Sequence, residues 1–263
     1  VLGRIGTSSS YRIDSELLGN YYRVQTGEKP EPFKLLERHR QRAVVFDPQE
    51  HGLVAPEEKI DEEETLLSAT AGPVSMNPLI DDFQPRYANW RVYEDLHTDR
   101  ASGMRQATVS RNETVVDSDG QNLISVLHSL YSANRDFKNE VNTAMRSAFS
   151  DDFEELIFPP AADQRIQLRV RWRSLQREQS AADLSDGTLR FLFLLAVLAS
   201  PSPPQLIAID EPETGLHPSM LPIVAEYARD AALRTQVILT THSPEFLDAF
   251  GKEVSDLGIE NCV

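Results

Sequence analysis

Apolar positions along the chain follow three rhythms, and each predicts a different kind of element. Between residues 121 and 149, Leu123, Val126, Leu127, Leu130, Phe137, Val141, Met145 and Phe149 recur at threes and fours. That spacing lines one face of an amphipathic helix, so these are core contacts rather than a cofactor box. Residues 165–172 instead alternate strictly, with Ile166, Leu168, Val170 and Trp172 to one side and Arg165, Arg169 and Arg171 to the other, joined by Arg173. A period of two marks a half-buried strand with a basic outer face. The last third changes to continuous apolar runs between helical stretches, which predicts helix 185–198, strand 206–209, helix 219–233, strand 237–240 and helix 243–250. Uninterrupted apolar strands separated by helices imply a parallel sheet covered on both faces, with function at the carboxyl ends of its strands.

The first part of the chain is less regular. Strand-like runs stand at residues 21–24 and 43–46, the second ending at the turn pair Asp47-Pro48. The acidic run at residues 57–64 reads as a solvated loop or helix start. The expected fold class is therefore α/β, a mostly parallel sheet with helices on both faces plus a helical or mixed inserted lobe. Residues 1–120 are expected to form the remainder of an N-terminal lobe and an insertion, 121–180 a helical lobe with the basic-faced strand, and 181–263 the half that carries the chemistry.

Composition narrows the partners. A chain of 263 residues with 40% hydrophobic content can bury a core. Its 41 acidic against 26 basic residues leave a net charge of -15, which repels phosphate backbones and anionic membranes unless a local basic face offsets it. Nonspecific nucleic-acid binding is thus not favoured by the charge. The arginine row at 165, 169, 171 and 173 could meet a nucleotide, a nucleic acid or an acidic partner lobe, or could pair within the chain. A single cysteine, Cys262, excludes an internal disulfide and a Cys-based zinc cage and fits a reducing cytoplasm. The longest apolar stretch, at 189–198, is interrupted by Arg190 and is about half the ~20 residues a membrane helix needs. Val1-Leu2-Gly3-Arg4 shows neither an export pattern nor an initiator methionine, which suggests a beginning further upstream.

Candidate chemistry gathers at the predicted strand ends. Leu206-Ile207-Ala208-Ile209 runs straight into Asp210-Glu211-Pro212, and adjacent carboxylates at the end of a buried strand are costly unless a cation is near. Neighbouring strand residues point opposite ways, so the two acids are expected to do different work, one holding a magnesium ion through water and the other polarising an attacking water. A solvated Asp-Glu turn would also give the pair, but the run continues specifically as Glu213-Thr214-Gly215-Leu216-His217-Pro218. A second buried strand, Val237-Ile238-Leu239-Thr240, delivers His242 to the same edge. Ser243 as N-cap and Pro244 at the first helical position pin that backbone, whereas His39, His51, His97 and His128 read as ordinary loop histidines. Upstream, Ser185-Asp186-Gly187 opens the long apolar helix. Gly187 would let an anion reach free amides at the helix start, although the tripeptide is also an ordinary capping sequence.

Taken together, these stretches resemble the ABC-type ATPase family with its P-loop NTPase fold, in the branch of SMC, RecF and standalone "AAA family" predicted ATPases. Residues 184–188 look like the signature motif, 206–211 the Walker B strand, 215–218 the D-loop region and His242 the switch histidine. The likeness is strong over residues 182–250 and looser upstream, where Arg91-Val92-Tyr93-Glu94 and Asp119-Gly120-Gln121-Asn122-Leu123 look like lobe segments. It implies ATP and Mg2+ as cofactors and two heads that sandwich the nucleotide. On that basis Glu211 is the general base, Asp210 the magnesium-side carboxylate and His242 the γ-phosphate sensor. Ser185 and Gly187 contact the ATP of the opposite protomer, with Asp186 and His217 among the nucleotide-binding positions. The partners implied are a second copy of the head and a separate effector protein, without a membrane.

One departure matters. A phosphate-binding loop needs Gly-x-x-x-x-Gly-Lys-Ser/Thr, and none of Lys29, Lys34, Lys59, Lys138 or Lys252 stands in that setting. A helix start supplies only ~0.3–2 kcal/mol per anion contact, whereas micromolar binding needs about 8 kcal/mol. The expectation is a loop in residues further upstream, or from another chain, or a relic fold that serves as a non-hydrolysing interaction or regulatory module. Residues 251–263 leave no room for the Toprim nuclease domain of OLD-family relatives, so DNA cleavage within this chain is not expected.

Overall fold

The computed structural model describes residues 2–4, 11–20, 32–56, 59–70 and 77–251, which form two compact units, Val1–Asn89 and Trp90–Val263. The strand-like run at 21–24, Glu57, Glu58 and the segment after Gly251 lie outside the described residues.

In the first unit, β1 (Leu2–Arg4) pairs antiparallel with β2 (Tyr11–Ile13). β3 (Ser15–Asn20), β4 (Phe33–His39), β5 (Arg42–Asp47) and β6 (Gly52–Val54) form a four-stranded antiparallel sheet in sequence order. Helices α1 (Leu66–Thr70) and α2 (Pro78–Ala88) complete the unit, and Leu36, Val45, Leu66, Leu67 and Ile80 form its core. The described part of the acidic run is turn and loop with exposed side chains. Its backbone is held by buried Arg38, whose guanidinium donates to the carbonyls of Asp61 (2.9 Å) and Glu64 (2.5 Å). Glu16 caps α1 by accepting from the amides of Leu66 (2.7 Å) and Leu67 (3.0 Å).

The second unit carries β7 (Arg91–Tyr93), β8 (Thr108–Val109), α3 (Leu123–Ala133), α4 (Arg135–Phe149), β9 (Phe153–Ile157), β10 (Arg165–Ile166), β11 (Arg169–Trp172) and β12 (Gln179–Ser180). There follow α5 (Asp186–Leu198), β13 (Leu206–Asp210), α6 (Leu221–Ala232), β14 (Gln236–Thr240) and α7 (Pro244–Ala249). The apolar pattern of 121–149 is split into two helices at Asn134, extended at φ -120° and ψ 112°, whose side chain accepts from the Phe137 amide and starts α4. A helical period cannot reveal such a break, because both helices present their apolar faces to one core. α5 is buried nearly all round, as its uniformly apolar sequence requires, at roughly 1.5–3 kcal/mol for each buried Leu or Phe.

Three expectations are corrected. The sheet is not mostly parallel: the parallel part is the three-stranded β14-β13-β7, while the largest sheet and the smaller ones are antiparallel. β4, β5 and β6 are joined by short turns, and such hairpins bring neighbours back antiparallel, whereas β13 and β14 are joined through α6. Nor do the described residues cover both faces of the parallel sheet. Tyr93, Ile207 and Ile209 lie in the core, but Val92, Ala208 and Ile238, in register on the other face, leave Val92 45% and Ile238 44% exposed. The alternating run 165–172 is likewise two strands, β10 pairing with β8 and β11 with β9 and β12.

Candidate functional site

Parallel pairing of β13 with β14 sets Asp210 opposite Thr240, and pairing with β7 sets Ile209 opposite Tyr93. The chain thus leaves the sheet three times along one edge, carrying Glu94, Asp210-Glu211 and Thr241-His242. Asp210 accepts a close hydrogen bond from the Thr240 hydroxyl. Glu211 then turns sharply, with φ 43°, a left-handed conformation that costs about 1–3 kcal/mol in a residue with a side chain. Its amide donates to the Thr240 carbonyl (3.0 Å), its carbonyl accepts from the Thr214 amide (3.0 Å) and its Oε2 from the Thr214 hydroxyl (3.2 Å). This tight turn aims the Glu211 carboxylate at the histidine.

His242 is fixed from behind. Ser243 caps α7 by accepting from the Phe246 amide (3.2 Å), Pro244 opens the helix, and Phe246 is fully buried. The imidazole itself is 93% exposed, and its Nε2 lies 4.0 Å from Glu211 Oε1. That separation exceeds a hydrogen bond and leaves both groups facing solvent together. Ser243 Oγ also donates to Glu245 Oε2 (3.0 Å). Glu245's own backbone amide, and then this hydroxyl, hold that carboxyl below the usual range.

Two residues that the motif reading passed over tie the turn to the histidine. The Thr241 hydroxyl donates to Glu213 Oε1 and accepts from the Ser243 amide (3.0 Å). Glu213 Oε2 is buried with no hydrogen-bond partner among the described residues. A cleft beside the strand ends is lined by Tyr93, Glu94, Leu96, Arg190, Asp210 and Glu211. Arg190 donates to the Leu96 carbonyl (3.2 Å) there; the signal for it was a single charge inside an otherwise apolar helix. Tyr93 donates to the Val116 carbonyl (2.9 Å), and burial raises its phenol far above the usual value, which makes it a neutral wall of the cleft.

The start of α5 is built as a capped turn. Ser185 Oγ accepts from the Thr188 amide (3.1 Å) and lies 2.8 Å from the Thr188 hydroxyl, while Asp186 pairs with Arg105. At Gly187 a β-carbon would come within 2.6 Å of the Gly215 carbonyl oxygen, so glycine is required by close packing within the chain. Through that contact the α5 turn touches the loop that follows Glu211. His217 caps a 3-10 turn, Pro218–Met220, with its Nδ1 3.3 Å from the Ser219 amide. The basic strand face is largely paired internally: Arg169 with Glu178 (3.6 Å), Arg171 with Glu155 and Glu178 (3.1 Å to the latter) and Arg173 with Glu154 (3.7 Å).

The donor set decides what cation would fit. Among the described residues no group of three or more His, Cys, Asp or Glu side chains could hold a metal by itself. Magnesium binds through one or two carboxylates, with phosphate oxygens and water completing its shell, and exposed Asp210 fits that pattern. No described helix is long and apolar enough to cross a membrane.

No curated protein matches the chain. Among solved structures, similarity extends to a protein from work on ATP-driven dimerization and DNA-stimulated activation of SMC ATPases (12% identity, 46% of this chain and 76% of that one, TM-score 0.35). An SMC head bound to the C-winged helix domain of ScpA is also similar (13%, 59% and 49%, 0.41), as is the SMC head domain from Thermotoga maritima (18%, 48% and 44%, 0.31). The chain thus spans less than half the length of the last two. Residues 12–248 match the family model described as "AAA domain, putative AbiEii toxin, Type IV TA system". That match covers nearly the whole described chain and agrees with the resemblance read from the motifs: the chain belongs to this AAA-domain family of ATPase-type nucleotide-binding proteins.

Proposed function

We propose that the chain is the hydrolytic part of an ATPase head that closes into a dimer on ATP. The observation that carries this reading is the convergence of Glu211 and His242, 4.0 Å apart, beside Asp210 on one parallel-sheet edge. Glu211 takes the proton of the attacking water, and its turn keeps the carboxylate at the rim. Asp210 stands on the magnesium side, oriented by the Thr240 hydroxyl. The exposed His242 imidazole donates toward the terminal phosphate. Ser185, Asp186 and Gly187, with His217, meet the nucleotide of the second copy through amides at the start of α5. When bound, Mg2+ and ATP would supply the electrophilic phosphorus and the charge that this arrangement serves.

A phosphate-binding segment, from residues upstream or from another chain, completes the head. The apolar row Val92–Ala208–Ile238 beside the site, with Val92 and Ile238 exposed and Ala208 half-buried, supports this, since apolar sheet that the described residues leave open marks a surface meant to be covered. The same row also favours a second reading, a non-hydrolysing interaction or regulatory module whose effector covers it.

Glu211→Gln in the full-length protein separates the two. It keeps the shape but removes the proton acceptor. An ATPase head loses about 100-fold or more in turnover and accumulates as an ATP-bound dimer by sedimentation. Normal turnover by the variant would sink the hydrolytic reading, and a wild-type protein without ATP turnover would favour the module.

A further inference from the structure

Arg105 has no part in the motifs, yet it makes more polar contacts to the α5 turn than any residue of the turn itself. It ends a short 3-10 turn, Gly103–Arg105, that is rigid: the Gly103 amide donates to Gln121 Oε1 (2.5 Å), Ser102 caps the Met104 amide (3.2 Å) and Met104 is fully buried. From there its side chain, 8% exposed, reaches the segment before α5. Nη1 donates to the carbonyls of Leu184 (2.7 Å), Ala181 (3.1 Å) and Ala182 (3.2 Å), Nε to that of Thr98 (2.7 Å), and Nη2 to Asp186 Oδ1 (2.5 Å).

A buried cation next to the positive end of a helix is unfavourable unless carbonyls and a carboxylate surround it, and here they do. The planar fork matters, since a lysine offers a point charge that cannot reach carbonyls on two segments and a carboxylate at once. The contacts have two consequences. They fix the backbone that presents the Ser185 hydroxyl and the first amides of α5. They also neutralise Asp186, which is 66% exposed and would otherwise repel a triphosphate arriving at that turn.

We infer that Arg105 is a positioning residue for nucleotide recognition across the dimer: it holds the Ala181–Asp186 turn in shape and cancels the Asp186 charge. The inference rests on the proposed ATP-closed dimer. Its test uses the full-length chain as wild type, R105K, R105Q and R105Q/D186N. R105K should weaken the ATP-dependent dimer about tenfold or more, while affinity of the single head for a fluorescent ATP analogue stays unchanged. R105Q/D186N should recover part of the R105Q loss, because the uncompensated carboxylate is gone; a merely structural arginine gives no such rescue.

Wild-type dimerisation by R105K, or equal losses in R105Q and the double variant, would overturn the inference. Amide exchange without nucleotide supplies an independent reading. Thr188 and Leu189 should exchange about tenfold faster in R105K, with the rest of the second unit unaffected. A wild-type protein that does not dimerise on ATP counts against the proposed function, whereas unchanged exchange at those two amides counts against Arg105.

Discussion

Gly187→Ala sets two well-measured effects against each other, so its sign is informative. Alanine is favoured over glycine in a helix by up to about 1 kcal/mol, less in the first turn, and propensity alone predicts stabilisation. In this structure the added β-carbon would lie 2.6 Å from the carbonyl oxygen of Gly215. Ordinary contact begins near 3.4 Å, so the 211–217 loop must retreat by about 0.8 Å. Its retreat is opposed, because Gly215 is already held at φ 75° and the Arg190 side chain lies close by, 3.4 Å from where a β-carbon on Gly215 would stand. Overpacking of this kind costs about 1–3 kcal/mol, which leaves a net loss of about 1–2 kcal/mol. Thermal unfolding should therefore show Tm falling by roughly 2–8 °C for a domain of this size. ATP turnover of the full-length protein should fall with it, since the loop that must move begins at Glu211. A Tm that rises, or stays put, would refute the claim that the α5 turn is clamped against this loop.

Three other substitutions test the framework. Thr241→Val removes the donor to Glu213 and the acceptor for the Ser243 amide, so urea denaturation should show a loss of about 2 kcal/mol, and Glu213→Gln should cost less because the uncharged amide can still accept from Thr241. Equal costs would show that the contact depends on the charge of Glu213 and not on its acceptor oxygen alone. Tyr227 donates to the Glu140 carbonyl (2.7 Å), and burial first, then the charge of Glu140, pushes its phenol up from 10.0 to about 12. The folded pKa is raised, so its contribution is complete below pH 10 and is lost as pH rises toward 12. Discounted for partial exposure, the loss is about 1–2 kcal/mol. Tyr227→Phe should flatten the alkaline limb of a stability-versus-pH curve, and an unchanged limb would contradict the assignment.

Much of the second unit was legible in the sequence because local rules and tertiary needs coincide there. Buried strands β13 and β14 read as apolar runs, Ser185 and Ser243 stand where caps belong, and a carboxylate pair and a histidine follow the two strands directly. Parallel pairing through one crossover helix then leaves little freedom about which edge they share. Other features depend on distance in space. Periodicity is blind to the break at Asn134, since the helices on both sides bury the same kind of face. It is equally blind to the split of the arginine run, where each half finds a different partner strand. The positive φ of Glu211, the Glu213–Thr241 contact and the clamp of Gly187 on Gly215 join residues that no local pattern connects. Arg105 shows this most clearly. Its meaning comes from the turn before α5, far along the chain, and only the folded core brings the guanidinium to those carbonyls.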